Sequence, residues 1–200
     1  MHPSAYSRRD DPAARDRLIA DIGFASIFAA TPAGPRVAHT PIVSFGEHTV
    51  RFHIARANAL APHLAGATAL AVVNGPDAYV SPRWYEEAGQ APTWNYVALE
   101  LEGPVRALDE AELADTLRAI GARQESAIAE GIPWTPEGME RALWDRLMKG
   151  IVGFELTIAA CRTTFKLSQN KSAADRLAVA AEIAARGEPG LAAMMRNTLA

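Results

Sequence analysis

Cysteine is almost absent from this sequence of 200 residues, which contains only Cys161. One thiol cannot form a disulfide within the chain, so a small fold cross-linked by disulfides is excluded. Structural zinc sites need several Cys or His ligands at short spacing, and no Cys and His residues are spaced in that way here. The fold must therefore depend on a hydrophobic core, for which a hydrophobic content of 49% is sufficient.

Long apolar segments and an excess of basic residues are also missing. No segment approaches the ~18 consecutive apolar residues of a membrane span, and residues 1–18 lack the apolar core of a secretory signal. We therefore predict a cytoplasmic protein without membrane segments. The formal net charge is −3, which disfavours DNA binding by an isolated monomer because such binding needs clustered Lys and Arg. DNA binding by an oligomer remains open.

Several catalytic motifs are absent. The sequence has no Gly-x-Ser-x-Gly, no phosphate-binding loop and no Gly-x-Gly-x-x-Gly, which disfavours hydrolase and nucleoside triphosphate chemistry. The three central histidines His39, His53 and His63 are spread over two predicted strands and a helix. Metal ligands usually come with tighter spacing or a carboxylate, so we interpret these histidines as polar side chains rather than a metal triad.

The chain is rich in short strand patterns. Strands are predicted by apolar runs or period-2 alternation, and helices by apolar stripes and capping residues. The predicted strands are 24–31, 36–45, 48–55, 68–75, 93–108, 151–159 and 161–168. The predicted helices are 12–22 with Asp10 or Asp11 as cap, 59–66 with Asn58 as cap, 109–131, 135–150, and two after Ser172.

The order of these elements predicts the fold class. Consecutive strands joined by short corners, without regular strand-helix-strand alternation, favour an antiparallel sheet closed into a barrel. We predict an α+β, mainly β protein, with a Greek-key-like barrel and peripheral helices. It forms a single domain over residues 1–200, with a helical insertion at about 109–149 and a helical tail at about 172–200.

An anion site is one interpretation of the segment HIARAN. Arg56 follows the end of a predicted strand, and Asn58 opens a predicted helix. A guanidinium and unpaired N–H groups at a helix start together suit a phosphate, and Arg36 and His39 lie on the neighbouring strand. The alternative is that Arg56 is solvated and Asn58 only caps the helix.

A second group of polar residues follows the last predicted strand, in the segment FKLSQNKS (residues 165–172). Its side chains could bind a planar ring rich in hydrogen-bond acceptors, or they could form only a polar strand end and a helix cap. The aromatic residues of 84–96 would then form apolar walls or a dimer contact, or they could simply pack in a hairpin. They are Trp84, Tyr85, Trp94 and Tyr96.

Four segments in this order, GPDAYVSPRWYEE, PTWNY, KGIVGFEL and FKLSQNKS, resemble the FMN-binding negative transcriptional regulators of the PaiB type. The resemblance covers nearly the whole chain. It implies an FMN-binding split β-barrel similar to pyridoxamine-phosphate oxidases and flavin reductases. It also implies a homodimer with flavin sites in the cleft between subunits.

The resemblance further implies which residues contact FMN. The segment AHTPI (38–42) would run beside the isoalloxazine, and the segment HIARAN (53–58) would hold the phosphate. The segments TWN (93–95) and KLSQN (166–170) would approach the flavin edge from the partner subunit. The implied cofactor-binding residues are His39, Thr40, Pro41, Ile54, Ala55, Arg56, Asn58, Asn74, Trp94, Asn95, Lys166, Ser168, Gln169 and Asn170.

Three functions stay open at this stage. The family resemblance implies a transcriptional regulator that senses redox state or a metabolite through FMN, with DNA as a possible partner. The fold resemblance equally allows an FMN-dependent oxidoreductase of the flavin reductase kind, or a haem-binding protein with an iron ligand among His39, His53 and His63. The tail after Ser172 shows no basic face that would identify a DNA-reading helix.

Overall fold

The computed structural model describes residues 7–9 and 11–197. The strands are β1 Arg8–Arg9, β2 Phe24–Thr31, β3 Gly34–Ser44, β4 Thr49–Ala55, β5 Thr68–Val80, β6 Thr93–Ala107, β7 Ile151–Thr157 and β8 Ala160–Lys166. The helices are α1 Pro12–Ile22, α2 Ala61–Leu64, α3 Glu110–Glu125, α4 Arg141–Lys149, α5 Ala173–Ala185 and α6 Pro189–Asn197. No helix within 7–9 and 11–197 is long and apolar enough to cross a membrane.

The chain divides into two compact units. Unit 1 comprises the described residues of Met1–Arg15, Asn74–Leu99 and Arg162–Ala200, and unit 2 comprises Asp16–Val73 and Glu100–Cys161. The division passes through α1, β5, β6 and β8, so each of these elements contributes residues to both units.

Unit 2 is an antiparallel barrel. Its strands follow the order β5-β2-β3-β4-β7-β6, and β6 is hydrogen-bonded in turn to β5. Backbone hydrogen bonds from Gly66 to Val105 and from Val105 to Ala67, both of 2.9 Å, lie where the sheet closes. The predicted mainly β, Greek-key-like barrel with peripheral helices is confirmed.

The interior of the barrel follows the strand alternation expected from the sequence. Phe52 and Phe154 are opposite each other in the β4–β7 register, and their rings stack at 5.7 Å. Both side chains are at most 1% exposed, as are Ile42 and Leu156. Each such side chain stabilises the folded state by roughly 1.5–3 kcal/mol through burial.

A charged network covers one side of this barrel. Glu155 on β7 accepts hydrogen bonds from Arg51 Nε on β4 (2.6 Å) and from Arg106 Nε on β6 (2.8 Å). Arg106 also binds Glu112 of α3, and this contact is the main reason that the pKa of Glu112 falls to about 2. Glu112 forms a capping box with Asp109, so the network joins α3 to three strands.

Unit 1 contains the strand order β1-β8-β6-β5 and the helices α5 and α6. Val97, Val179, Ile183 and Met195 are among its fully buried side chains. Ser172 caps α5 by accepting a hydrogen bond from Asp175 N (3.0 Å), as its position in the sequence predicts.

Several predicted boundaries are wrong. Helix α3 ends at Glu125 instead of residue 131. Helix α4 begins at Arg141 instead of residue 135, because Pro136 and Gly138 form a separate 3₁₀ turn and Glu140 is extended. Helix α2 is confined to Ala61–Leu64 with Leu60 at its N-cap, so Asn58 does not cap it. Strand β5 continues to Val80 beyond its predicted end at residue 75.

The predicted cap of α1 is confirmed for Asp11, whose Oδ1 accepts a hydrogen bond from Ala13 N (2.9 Å). Asp10, the alternative cap, lies outside the described residues.

Candidate functional site

The first group of predicted site residues lies on the barrel strands of unit 2. His39 and Pro41 alternate with Thr40 on β3, and only Thr40 is buried, at 2% exposure. The Thr40 hydroxyl donates to the backbone oxygen of His53, so its side chain points into the barrel. His39 Nδ1 lies 2.9 Å from Ser26 Oγ on the outer surface. His39 and Pro41 therefore present side chains to an external ligand, whereas Thr40 offers its backbone.

His53, on the neighbouring strand β4, has a ring nitrogen without a hydrogen-bond partner among the described residues. This atom, Nδ1, is buried. Burial lowers the pKa of this imidazole, so it is neutral at pH 7. A buried polar atom without a partner costs free energy, and a bound ligand is one way of satisfying it.

The turn 56–59 after β4 follows directly on Ile54 and Ala55. Arg56 is exposed, and its Nε and Nη2 donate to the backbone oxygens of Lys149 (3.1 Å) and Ile151 (2.9 Å). These contacts hold the guanidinium in place and leave Nη1 available. Asn58 Oδ1 accepts a hydrogen bond from Leu60 N (2.9 Å), which shapes the turn.

Two backbone donors of this turn are unused. In the described part of the chain, no hydrogen-bond acceptor pairs with the N–H groups of Ala57 and Ala59, both of which are exposed. Together with Arg56 Nη1 they form a small set of donors without a neutralising carboxylate bonded to it. Such a set suits an anion with several oxygens, such as a phosphate.

The second group of predicted residues lies in unit 1. Asn95 is fully buried, and its Nδ2 donates to Ser168 Oγ (2.9 Å) and to Met195 Sδ (3.5 Å). The side chain of Gln169 is also used internally, since Oε1 accepts from Leu167 N (2.8 Å) and Nε2 donates to the backbone oxygen of Phe165. Asn95, Ser168 and Gln169 thus hold the KLSQN segment in shape.

Lys166 and Asn170 are the residues of that segment with side chains available to a ligand. Lys166 Nζ is 2.5 Å from Thr93 Oγ1, and burial lowers the pKa of this ammonium. Asn170 is exposed. Both border a cavity of about 470 Å³ within unit 1, together with Tyr85 and Lys171, neither of which is among the implied cofactor-binding residues.

The exposed aromatic residues form a cluster on unit 1. Trp94 is 49% exposed and its Nε1 donates to Asp77 Oδ1 (2.7 Å). The ring of Tyr79 meets the rings of both Trp94 and Trp84 edge to face, at 6.0 and 6.4 Å. Tyr85, by contrast, is 9% exposed. The aromatic stretch therefore has an outer, exposed part and an inner, buried part.

Asn74 is exposed and lies within β5 rather than at its end. The structure thus places the predicted residues in two groups, one in each unit. The strand His39–Pro41 and the segment Ile54–Asn58 belong to unit 2, whereas Asn74, Trp94–Asn95 and the KLSQN segment belong to unit 1.

A family model described as "Putative FMN-binding domain" matches residues 1–160 of this chain. The chain belongs to this FMN-binding family. Its cofactor is FMN, and the free donors of the turn 56–59 fit the phosphate of that cofactor. The match extends over the whole barrel of unit 2, so the likeness includes the fold as well as single motifs.

The chain is 30% identical over 133 residues to the Bacillus subtilis protein "Protease synthase and sporulation protein PAI 2", also called PaiB. That alignment covers 65% of this chain and 63% of the relative. An uncharacterized Emericella nidulans protein is 30% identical over 121 residues, or 54% of this chain and 48% of that protein. The chain thus spans less than two thirds of the length of these relatives.

The fold also resembles solved structures. The FAD and haem binding protein from Mycobacterium smegmatis superposes with a TM-score of 0.62 at 16% identity, over 86% of this chain and 79% of that one. The flavocytochrome Anf3 from Azotobacter vinelandii gives the same TM-score and identity over 82% and 72%. At this identity the likeness shows the split-barrel fold alone.

Proposed function

We propose that this protein is a regulator of the PaiB type that responds to redox state or to a metabolite through bound FMN. The observation that carries the proposal is the family match over residues 1–160, supported by the similarity to PAI 2, a protein named for protease synthesis and sporulation. FMN supplies reversible redox chemistry when it is bound. The residues of this chain bind and orient it.

Binding of the FMN phosphate is assigned to the turn after β4. The proposed donors are Arg56 Nη1 and the N–H groups of Ala57 and Ala59, with Asn58 shaping the turn. The backbone contacts of Arg56 with Lys149 and Ile151 support this role, because a guanidinium already held in place loses little conformational entropy when it binds.

We predict that Arg56→Ala weakens the binding of FMN more than that of riboflavin, because only FMN carries the phosphate dianion. A charge-assisted hydrogen bond contributes about 1.5–3 kcal/mol, so the affinity for FMN should fall roughly 10- to 150-fold. Calorimetric titration with both ligands measures the difference. An equal loss for FMN and riboflavin would contradict the phosphate assignment.

The KLSQN segment and the aromatic cluster are assigned to a homodimer. We propose that this segment faces a flavin bound to a second copy of the chain and that the interface includes part of residues 84–96. The support is the exposure of large apolar side chains on both units, including Phe24 at 51% and Trp94 at 49%. Apolar surface of this kind is usually covered by a partner.

Light scattering at micromolar concentration should therefore give the mass of two chains. Trp94→Glu should shift this mass toward that of one chain, because it places a charge in the interface. Trp134→Glu is the matched control, since Trp134 is also exposed, at 42%, but lies outside residues 84–96. A wild-type monomer, or dissociation by both variants alike, would contradict the assignment.

Lys166 is proposed to lie near the acceptor edge of the flavin, where its positive charge favours the reduced, anionic form. Lys166→Met should then lower the reduction potential of bound FMN. An interaction of roughly 1.4 kcal/mol corresponds to about 30 mV for a two-electron couple, which dye equilibration resolves. An unchanged potential together with unchanged FMN affinity would restrict Lys166 to its contact with Thr93.

The regulatory role is tested by a mobility-shift assay. The FMN-loaded protein, in oxidised and reduced form, is mixed with DNA from upstream of its own gene at physiological salt. A shift that depends on the redox state of FMN supports the proposal. No shift with either form would favour the second candidate, an FMN-dependent oxidoreductase, which is consistent with the open cavity beside Lys166. An absorption spectrum distinguishes bound flavin from haem.

A further inference from the structure

The cavity of about 470 Å³ in unit 1 has an unusual charge pattern. Two of its lining residues, Lys166 and Lys171, carry positive charge, and none of the described lining residues carries a carboxylate. Lys166 bonds to Thr93 Oγ1 and Lys171 to Gln90 Oε1, each at 2.5 Å. These acceptors are neutral, so neither ammonium is neutralised by a bonded acid in the described part of the chain.

Tyr85, one of the lining residues, has a buried hydroxyl group. Tyr85 is 9% exposed, and its buried hydroxyl makes no hydrogen bond of good geometry among the described residues, although it lies near Ser168 and the buried carboxylate of Asp175. Burial raises the pKa of this phenol, so it stays protonated and can donate. The Lys171 ammonium lies 5.3 Å from the centre of the Tyr85 ring, so this cation and the phenol ring are neighbours in the cavity wall.

The part of the wall at Ser168, close to Tyr85, is held in a strained but well-anchored conformation. Ser168 has a φ of 60°, and it is the one non-glycine residue with positive φ among those described. Its hydroxyl is hydrogen-bonded to the fully buried Asn95. Backbone strain of this kind persists where the surroundings impose it, and it is frequent at ligand sites.

We propose that this cavity binds the carboxylate or phosphate group of a small organic molecule other than FMN, with Tyr85 as a neutral donor and Lys171 as the principal cation. Lys166 completes the site from the side assigned to the flavin, so the acid would lie next to the isoalloxazine. In this respect the inference rests on the proposed function. It extends that function by naming the chemical class of the effector or substrate.

The test is a calorimetric titration of the FMN-loaded protein with benzoate, phenyl phosphate and benzamide. Benzamide is the neutral control for benzoate. At least one of the two anions should bind about tenfold more tightly than benzamide, and comparison of the two distinguishes a carboxylate site from a phosphate site. The absorption spectrum recorded during the titration shows whether FMN stays bound.

Two variants and one control locate the binding. Lys171→Met should abolish the preference for the anion, and Tyr85→Phe, which retains the ring, should reduce the affinity for the anion several-fold. Arg118→Met removes an exposed cation of unit 2 that lies outside both proposed sites and should leave the affinity unchanged. An anion preference that persists in both Lys171→Met and Tyr85→Phe would overturn the assignment.

Two further outcomes would overturn the inference. Equal affinity for the anions and for benzamide would show that the cavity does not select negative charge. Release of FMN as the anion binds would show that the cavity holds the cofactor itself. A failure of FMN binding, on which the proposed function depends, is detected separately as the absence of a flavin spectrum before the titration. In that case the same titration of the FMN-free chain tests the anion site by itself.

Discussion

The Gly103→Ala variant should unfold at a temperature about 6–12 °C below that of the wild-type protein. A Cβ atom at position 103 would lie 1.8 Å from the backbone oxygen of Thr157 and 2.9 Å from its carbonyl carbon. These are backbone atoms of the barrel, so the clash cannot be relieved by rotating a side chain. Overpacking of this kind costs about 3 kcal/mol, and each kcal/mol lowers the melting temperature by about 2–4 °C at this chain length.

Gly138→Ala is the control for this prediction. No atom lies within 4 Å of the Cβ position at residue 138, and its φ is not in the left-handed region. The substitution should therefore leave the melting temperature unchanged or raise it slightly. Thermal unfolding followed by circular dichroism, at a fixed FMN concentration, compares the two variants. Similar melting temperatures for both would refute the close approach of β6 to Thr157.

Glu155→Ala should reduce the free energy of unfolding by about 3 kcal/mol. The Glu155 side chain is 11% exposed and that of Arg51 is 9% exposed, so their ion pair is largely shielded from water. Removing one partner of a buried pair leaves an uncompensated charge, which costs about 3–5 kcal/mol. The remaining contact between Arg51 and Glu112, at 3.4 Å, offsets part of this cost.

The matched control is Glu137→Ala, which removes an ion pair with Arg118 at the surface. Both side chains of that pair are about half exposed or more, so the loss of stability should be small and well below that of Glu155→Ala. Urea unfolding at constant FMN concentration measures both variants. Should Glu155→Ala fail to fold, Glu155→Gln keeps the shape and isolates the charge. A loss no larger than that of Glu137→Ala would show that the network contributes little.

The helix and strand patterns of the sequence predicted the barrel because they depend on local properties. Helix α1 and strand β2 have the predicted bounds, Pro12–Ile22 and Phe24–Thr31, since alternation and capping act over a few residues. The prediction failed where a residue type that is typical of a strand end is required instead by packing against a distant part of the chain. Gly75 suggested the end of β5, yet a Cβ there would lie 2.9 Å from Val97 Cβ. This glycine allows close packing instead of ending the strand.

Part of the candidate site was also predictable, because the ends of strands are recognised from local sequence pattern. Arg56 and the KLSQN segment were singled out from their places at strand ends, and the structure places each beside free hydrogen-bond donors or a cavity. The sequence did not reveal that Asn95 and Gln169 are used inside the protein. It also did not reveal that Tyr85 is the buried member of the aromatic stretch, because neighbouring aromatic residues look alike until their packing is known.

Local pattern alone predicted a mainly β, antiparallel chain with peripheral helices. The segments GPDAYVSPRWYEE, PTWNY, KGIVGFEL and FKLSQNKS indicated its FMN-binding family by resemblance, which the family match over residues 1–160 confirms. Only the tertiary structure decided which polar groups have partners. The pairing of β4 with β7 brings Glu155 to Arg51, and contacts across 73 residues of sequence join Ser168 to Asn95. Hydrogen bonding and burial depend on such distant neighbours, and no local pattern contains them. The unused donors at Tyr85 and at the turn 56–59 are for that reason visible only in the fold.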